Sequence, residues 1–315
     1  MINFIGNRRK AYTISLVLIV AGIISLGIFG LNLGIDFTGG TVFQLTFGED
    51  FAREEVETVL APYEELEGAA IQVVQGRDLA GEPTDEGLII RGPYMGEDRR
   101  ESVMQDFQDS FPQMDLADSR VESVGPVIGG ELARQAVLAL VVAIAAMIAY
   151  ITYRFEFKFA LATISALLHN ILIVLGIFSL FQLEINVPFV AAILTVFGYS
   201  VNDTIVIMDR IRENIQYRKK KDYSAVVNES INQNLVRSIN TSLTTLFVLI
   251  SLLVGFNYFI GSLDLIVFVI ALITGVLVGT YSSIFIASPL WLNLQDYKLS
   301  LPGRKAARNT DSGEN

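Results

Sequence analysis

The stretch 198-GYSVNDTIVIMDRIREN-214 sets two aspartates, Asp203 and Asp209, inside and at the edge of a run that otherwise reads as membrane helix. An aspartate at the centre of a bilayer costs roughly 2.5 to 3.5 kcal/mol on insertion scales, so Asp203 needs a partner, water or a function. The apolar run begins near Val187. At 1.5 Å per helical residue Asp203 lies about 24 Å along it, in the inner part of the bilayer. Thr195, Tyr199, Asp203 and Ile207 share one stripe, widened by Ser200 and Asn202. A polar stripe of this kind suits a helix that faces the interior of a bundle.

The rest of the 315-residue chain agrees with a membrane setting: 52% of it is apolar, and it contains no cysteine and one histidine. Disulfides, thiolate metal sites, cysteine nucleophiles and multi-histidine centres are thereby excluded. Six runs are long and apolar enough to cross a hydrocarbon core, which takes roughly 20 helical residues. They lie near 11–31, 133–153, 159–181, 187–208, 238–256 and 265–290. The first follows Arg8, Arg9 and Lys10 without a convincing cleavage pattern and reads as a retained helix. Lys and Arg cluster at 8–10, 154–158, 210–221 and 298–308, all on one side of the spans. By the positive-inside rule both termini are cytoplasmic, in a multi-pass protein of the cytoplasmic membrane.

Charge separates one segment from the others. Residues 32–132 carry 22 acidic and 6 basic side chains, a net −16 that leaves +6 for the remainder of a chain whose total is −10. This acidity gives no support to nucleic-acid binding. Alternation at 41–47, 71–74, 88–91 and 120–124 predicts strands, and spacings of three and four at 51–60 and 98–111 predict helices. Phe51, Val56, Val59 and Leu60 in the first helix, and Val103, Met104, Phe107 and Phe111 in the second, are the expected core positions. The order βαββαβ is the ferredoxin-like arrangement, with a Gly- and Pro-containing loop at 76–87. The expected fold is therefore an α-helical polytopic membrane protein with six spans and one small α+β exterior domain. Its divisions are 1–31, 32–132, a bundle at 133–290 that includes a cytoplasmic loop at 209–236, and a tail at 291–315 whose last part is expected to be disordered.

The exterior domain is flanked by 34-GIDFTGG-40 and 124-VGPVIGGEL-132. Gly34, Asp36, Gly39, Gly40, Gly125, Pro126 and Gly129 fit tight turns in which Asp36 bonds nearby amides. They also fit hinges that couple the domain to the helices, and spacing does not separate the two. Within the loop at 209–236, Val227, Ile231 and Leu235 repeat every four residues, which predicts a short amphipathic helix at the membrane surface. The basic run 218–221 reads as an anchor for anionic lipid, or as a docking surface for a cytosolic partner.

The fifth run begins near Arg237, at a depth similar to that of Asp203, and Arg237, Asn240 or Thr241, and Thr244 repeat at helical spacing. Two accounts fit a pairing of Asp203 with Arg237. In one, the charges lower each other's insertion cost and serve structure alone. In the other, Asp203 changes protonation as water reaches it from alternate sides. Asp209, flanked by Arg210 and Arg212, reads as a solvated interfacial pair. His169, beside Asn170, fits an interhelical hydrogen bond or a proton relay. Gly275, Gly279, Ser283 and Ala287 form a small-residue stripe for close helix contact. No nucleophile–base arrangement, Walker motif or dinucleotide fingerprint occurs, so nothing marks the chain as an enzyme or calls for a metal or cofactor.

The two glycine motifs, the turn 154-RFEFKFAL-161 and above all the Asp203 stretch resemble the SecF family, the smaller subunit of SecDF complexes in protein export; the resemblance covers about 3–294. It implies a SecD-like partner and kinship with resistance-nodulation-division (RND) exporters. It also implies action with the SecYEG channel and the ATPase SecA on preprotein, driven by H⁺ or Na⁺. By the same resemblance Asp203 and Arg237 belong to an ion pathway, with Asn202 and Thr204 beside them. Family members often carry His-Asp where this chain has His169-Asn170, so a second carboxylate is missing there. The other readings are half of a small-molecule or lipid exporter, against which the small exterior domain argues, and a non-transporting structural subunit of the Sec channel.

Overall fold

The computed structural model describes residues 1–47, 51–77, 83–217, 222–257 and 263–300. The basic run 218–221, position 81 of the expected loop and the tail at 301–315 lie outside these residues. Six helices are long and apolar enough to cross a membrane: α1 (Arg8–Phe29), α5 (Pro126–Arg154), α6 (Phe157–Leu180), α7 (Val187–Tyr217), α8 (Tyr223–Gly255) and a sixth span over Leu263–Gln295. The sixth is composite. It comprises α9 (Leu263–Ser282), a π-helical turn (Ser283–Ala287) and α10 (Ser288–Ser300).

Between α1 and α5 lies a small sheet domain. A four-residue helix, α2 (Ile35–Thr38), leads into β1 (Gly40–Phe47), α3 (Arg53–Leu60), β2 (Ala70–Arg77), β3 (Pro83–Gly92), α4 (Glu97–Ser110) and β4 (Met114–Val124). The strand order β2-β3-β1-β4, antiparallel throughout, is the ferredoxin-like sheet expected from the βαββαβ pattern. Alternation decides its faces. Phe43, Leu45 and Phe47 point to one side and bury against Val56, Leu60, Val103 and Phe107 of the two helices, while Phe51, Val59 and Met104 are half-buried at the edge of this core. The next residues along, Val42 and Gln44, point to the other side.

The amphipathic stretch before the fifth span is a correction. It does not form a separate surface helix: Tyr223–Gly255 is one continuous helix, opened by Asp222, whose carboxylate accepts from the Ala225 amide at 3.1 Å. Val227 and Ile231 are buried in the bundle core, and Leu235 packs against it. The apolar stripe therefore meets protein. The chain's N-terminus reinforces this arrangement, because the Asn228 and Asn232 side-chain oxygens accept from the Phe4 and Ile2 amides at 2.7 and 2.8 Å.

Helix contacts in the bundle follow the small residues. Gly275 and Gly279 of α9 lie against Val196 and Ser200 of α7, so this part of the stripe serves contact within the chain; a side chain at Gly275 would place its Cβ 2.3 Å from a Val196 methyl. A second crossing, α1 on α6, rests on Gly22 against Gly176 and on the Ser25–Ser179 hydroxyl pair at 2.9 Å. The outward faces of α1, α5 and α8 carry exposed Ile, Leu, Val and Phe, as surfaces facing lipid or another apolar helix do.

Candidate functional site

The α7 helix places Asp203 where the aspartate stretch puts it, 8% exposed and deep in the bundle. Its Oδ1 accepts a hydrogen bond from the Ser238 hydroxyl of α8 at 2.6 Å. Its Oδ2 is buried and closes no hydrogen bond among the described residues, although the Ser283 hydroxyl of the sixth span is turned to the carboxylate from that side of the bundle. Arg237 is not in contact with it. Arg237 is exposed on α8, one residue before Ser238, and its charge acts on the carboxylate only through space. Asn240, Thr241 and Thr244 are exposed with it, so the face of α8 that meets α7 is one residue out of phase with the predicted stripe. That face carries Ser238 and Ser242.

Asn202 is exposed, whereas Thr204 is buried. The Thr204 hydroxyl lies 2.9 Å from the Ser200 carbonyl and 2.8 Å from the Ser283 hydroxyl. Ser283 opens the π-helical turn, whose backbone is held by the Ser288 hydroxyl donating to the Ser283 carbonyl at 3.0 Å. Such turns are rare and recur at functional positions.

From Ser200 the polar chain continues across the bundle. The Asn170 amide donates to the Ser200 hydroxyl at 2.9 Å, and its oxygen faces His169 Nδ1 at 3.1 Å. With the amide nitrogen committed to Ser200, that oxygen accepts from Nδ1–H, and Nε2 accepts from Ser15 of α1 at 3.0 Å. Ser15 in turn meets the Tyr281 hydroxyl at 3.1 Å. A shorter branch joins Tyr199, Ser242 and Thr280 at 3.0 and 2.6 Å. Hydroxyls and amides from five spans thus converge on the consecutive residues Asp203 and Thr204. His169 makes the interhelical bond expected of it and Ser200 belongs to the polar stripe as read, while Ser15, Ser238, Ser242 and Tyr281 were missed as members. Their signal in the sequence is faint, since a serine hydroxyl in a helix can always bond the carbonyl four residues back.

Asp209 is exposed and faces Arg154 of α5 at 3.9 Å, while its expected neighbour Arg210 bonds Glu213 and Gln233. The pairing is therefore between spans and at a solvated edge.

The two glycine motifs meet. Gly39 has φ +71°, a left-handed conformation that favours glycine, and an added Cβ would fall 2.7 Å from the Pro126 Cα. A Cβ on Gly129 would fall 2.8 Å from the Gly39 nitrogen. Gly125 and Pro126 begin α5 in extended and N1 positions. Gly40 pairs with Val124 in the sheet, so both connections of the sheet domain to the bundle run side by side. Gly34 donates to the Ile185 carbonyl at 2.9 Å, and Asp36 Oδ2 accepts from the Val187 amide at 2.8 Å, which caps the start of α7.

A six-span bundle with a buried carboxylate, carrying one ferredoxin-like domain on glycine-rich joints, defines a membrane transport subunit. The family model "Protein export membrane protein SecD/SecF, C-terminal" matches 103–297, and the "SecD/SecF GG Motif" model matches 24–50, across Gly39 and Gly40. The protein translocase subunit SecF of Pseudomonas aeruginosa is 39% identical over 96% of this chain and 95% of its own length, and that of Sebaldella termitidis 38% identical over 92% and 91%. The SecDF subunit of Bacillus subtilis is 38% identical, and there the match covers 92% of this chain but 38% of the longer protein. The crystal structure of SecDF from Thermus thermophilus superposes with a TM-score of 0.77 at 36% identity, covering 94% of this chain and 39% of that one. The chain belongs to the SecD/SecF family of protein-export membrane proteins, as a SecF-type subunit of the protein translocase.

Proposed function

We propose that this subunit couples an ion gradient to preprotein export, with Asp203 as the group that takes up and releases the ion. The observation that carries the reading is the unequal treatment of the carboxylate: one oxygen is held by Ser238 while the other is buried and unpaired. Leaving such an atom unpaired costs about 1–3 kcal/mol, which is removed when a proton or cation arrives. Either H⁺ or Na⁺ meets that requirement.

Arg237 of α8 and Asn202 of α7 are both exposed, and a SecD-like chain would complete their surroundings; relatives in which one longer chain bears the SecDF name favour this partner. On this reading both termini are cytoplasmic, the basic loop meets anionic lipid, and the sheet domain lies in the outer compartment. SecYEG, SecA and the preprotein are the further partners. Ion occupancy at Asp203 shifts the helices around it, and the side-by-side joints at Gly34–Gly40 and Gly125–Gly129 pass the movement outward. Asp203→Asn in the assembled complex removes the gradient-dependent part of export while leaving assembly intact. Export that still responds to the gradient leaves only a structural role.

A further inference from the structure

The sheet face turned away from α3 and α4 is polar where it meets the bundle. Arg91 of β3, Val42 of β1 and Glu122 of β4 are direct cross-strand neighbours, so Arg91 and Glu122 flank Val42 on one face. They meet the ends of the spans across a cavity of about 30 Å³ lined by Asp36, Glu184, Asn186 and Asp264. Arg91 Nη2 bridges to Glu184 Oε2 at 2.6 Å, linking sheet and bundle. Two other carboxylates have donors from the bundle end: Asp36 takes the Val187 amide, and Asp264 takes the Asn186 amide at 2.6 Å.

Glu122 differs from these three. Among the described residues it accepts no hydrogen bond, and it faces Asp264, Asp36 and Glu184, with Arg120 and the already bridged Arg91 as the cations set against them. Glu122 keeps an exposed edge at the rim of this cavity, and partial desolvation first, with these three negative charges after it, raises its carboxyl above the usual glutamate range.

We propose that the sheet domain is clamped to the bundle through this junction, and that a proton taken up by Glu122 from the outer compartment closes the clamp. Neutral Glu122 supplies an O–H donor to a carboxylate-lined cavity and removes one of four negative charges set against two arginines, Arg91 and Arg120. Ionised Glu122 restores the repulsion, and the Arg91–Glu184 bridge alone must hold the domain. Because the joints at Gly39–Gly40 and Val124–Pro126 run side by side, the domain can pivot about them without breaking the sheet. Linkage gives the sign. The docked form binds the proton more tightly than the open one, so docking is complete at low pH and is lost as pH rises through the docked-form value of Glu122.

The clamp rests on the reading that places this domain outside, but not on Asp203. The chain has no cysteine, so Ser102→Cys on α4 and Phe181→Cys at the bundle end give a clean pair for spin-label distances in the reconstituted complex. The expected result is one short distance at about pH 5 and a second, longer population at about pH 8. Glu122→Gln keeps the short distance at both values, and Arg91→Ala shows the longer population at both. A pH-invariant distance in the parent pair overturns the clamp. So does a Glu122→Gln variant that still responds. Labelling of Ser102→Cys by an impermeant maleimide from each side reports orientation separately, so a misplaced domain is told apart from a failed clamp.

Discussion

At the scale of single residues, the site depends on small hydroxyls. Ser238→Ala removes the hydroxyl that bonds Asp203 Oδ1, and we expect a loss of about 1–3 kcal/mol in the stability of the ionised form, read as a lower melting temperature of the purified complex. A melting temperature equal to the parent's would mean that water or a partner group already serves the carboxylate. In the sheet domain, Tyr63 donates to Asp106 at 2.6 Å under the Arg99 guanidinium. Burial first, then Asp106, push its phenol up to about 12. The stabilisation this represents is full below the unfolded value near 10 and is lost as pH rises towards 12. Ultraviolet titration of the intact chain should therefore show a late-ionising component, and Tyr63→Phe should reduce it by one tyrosine.

At the scale of elements, the elements whose sequence pattern has one interpretation are also the ones the structure reproduces. Phe43, Leu45 and Phe47 alternate, Val103 and Phe107 repeat at four, and each pattern admits one buried face. The α8 helix is different. Arg237, Asn240, Thr241 and Thr244 on one side and Ser238 and Ser242 on the other are interleaved a single residue apart. Either set makes a helical stripe, and only packing against α7 chooses between them. The same ambiguity hid the length of α8, because an amphipathic stripe suits a membrane surface or a protein surface equally. Spin labels at Asn228→Cys and Thr241→Cys should lie about 20 Å apart along a continuous helix, and a broad, shorter distribution would restore a break between them. Gly279→Leu drives a branched side chain into Ser200 across the α7–α9 contact. Such overpacking costs about 1–3 kcal/mol, and we expect a reduced yield of folded complex that Gly279→Ala largely restores.

At the scale of the whole molecule, the membrane plan was legible because hydrocarbon allows so few solutions: every span must bond its own backbone over roughly 20 residues. What the linear order conceals is convergence. The joints 34-GIDFTGG-40 and 124-VGPVIGGEL-132 are far apart in the chain yet touch at Gly39 and Gly129, and Ser15 reaches the Asp203 region through His169, Asn170 and Ser200. The need of Asp203 for a partner was readable from its burial cost; that the partner is Ser238, with Arg237 turned to the bundle surface, is a consequence of helix phase.

The account turns on whether an ion works through Asp203. The most direct test imposes a proton gradient and a sodium gradient separately on membrane vesicles that contain the assembled complex, and follows preprotein export in the parent and in Asp203→Asn. The account predicts that the parent responds to one of the two gradients and that Asp203→Asn responds to neither, at equal complex content. Equal responses from the two proteins would contradict it.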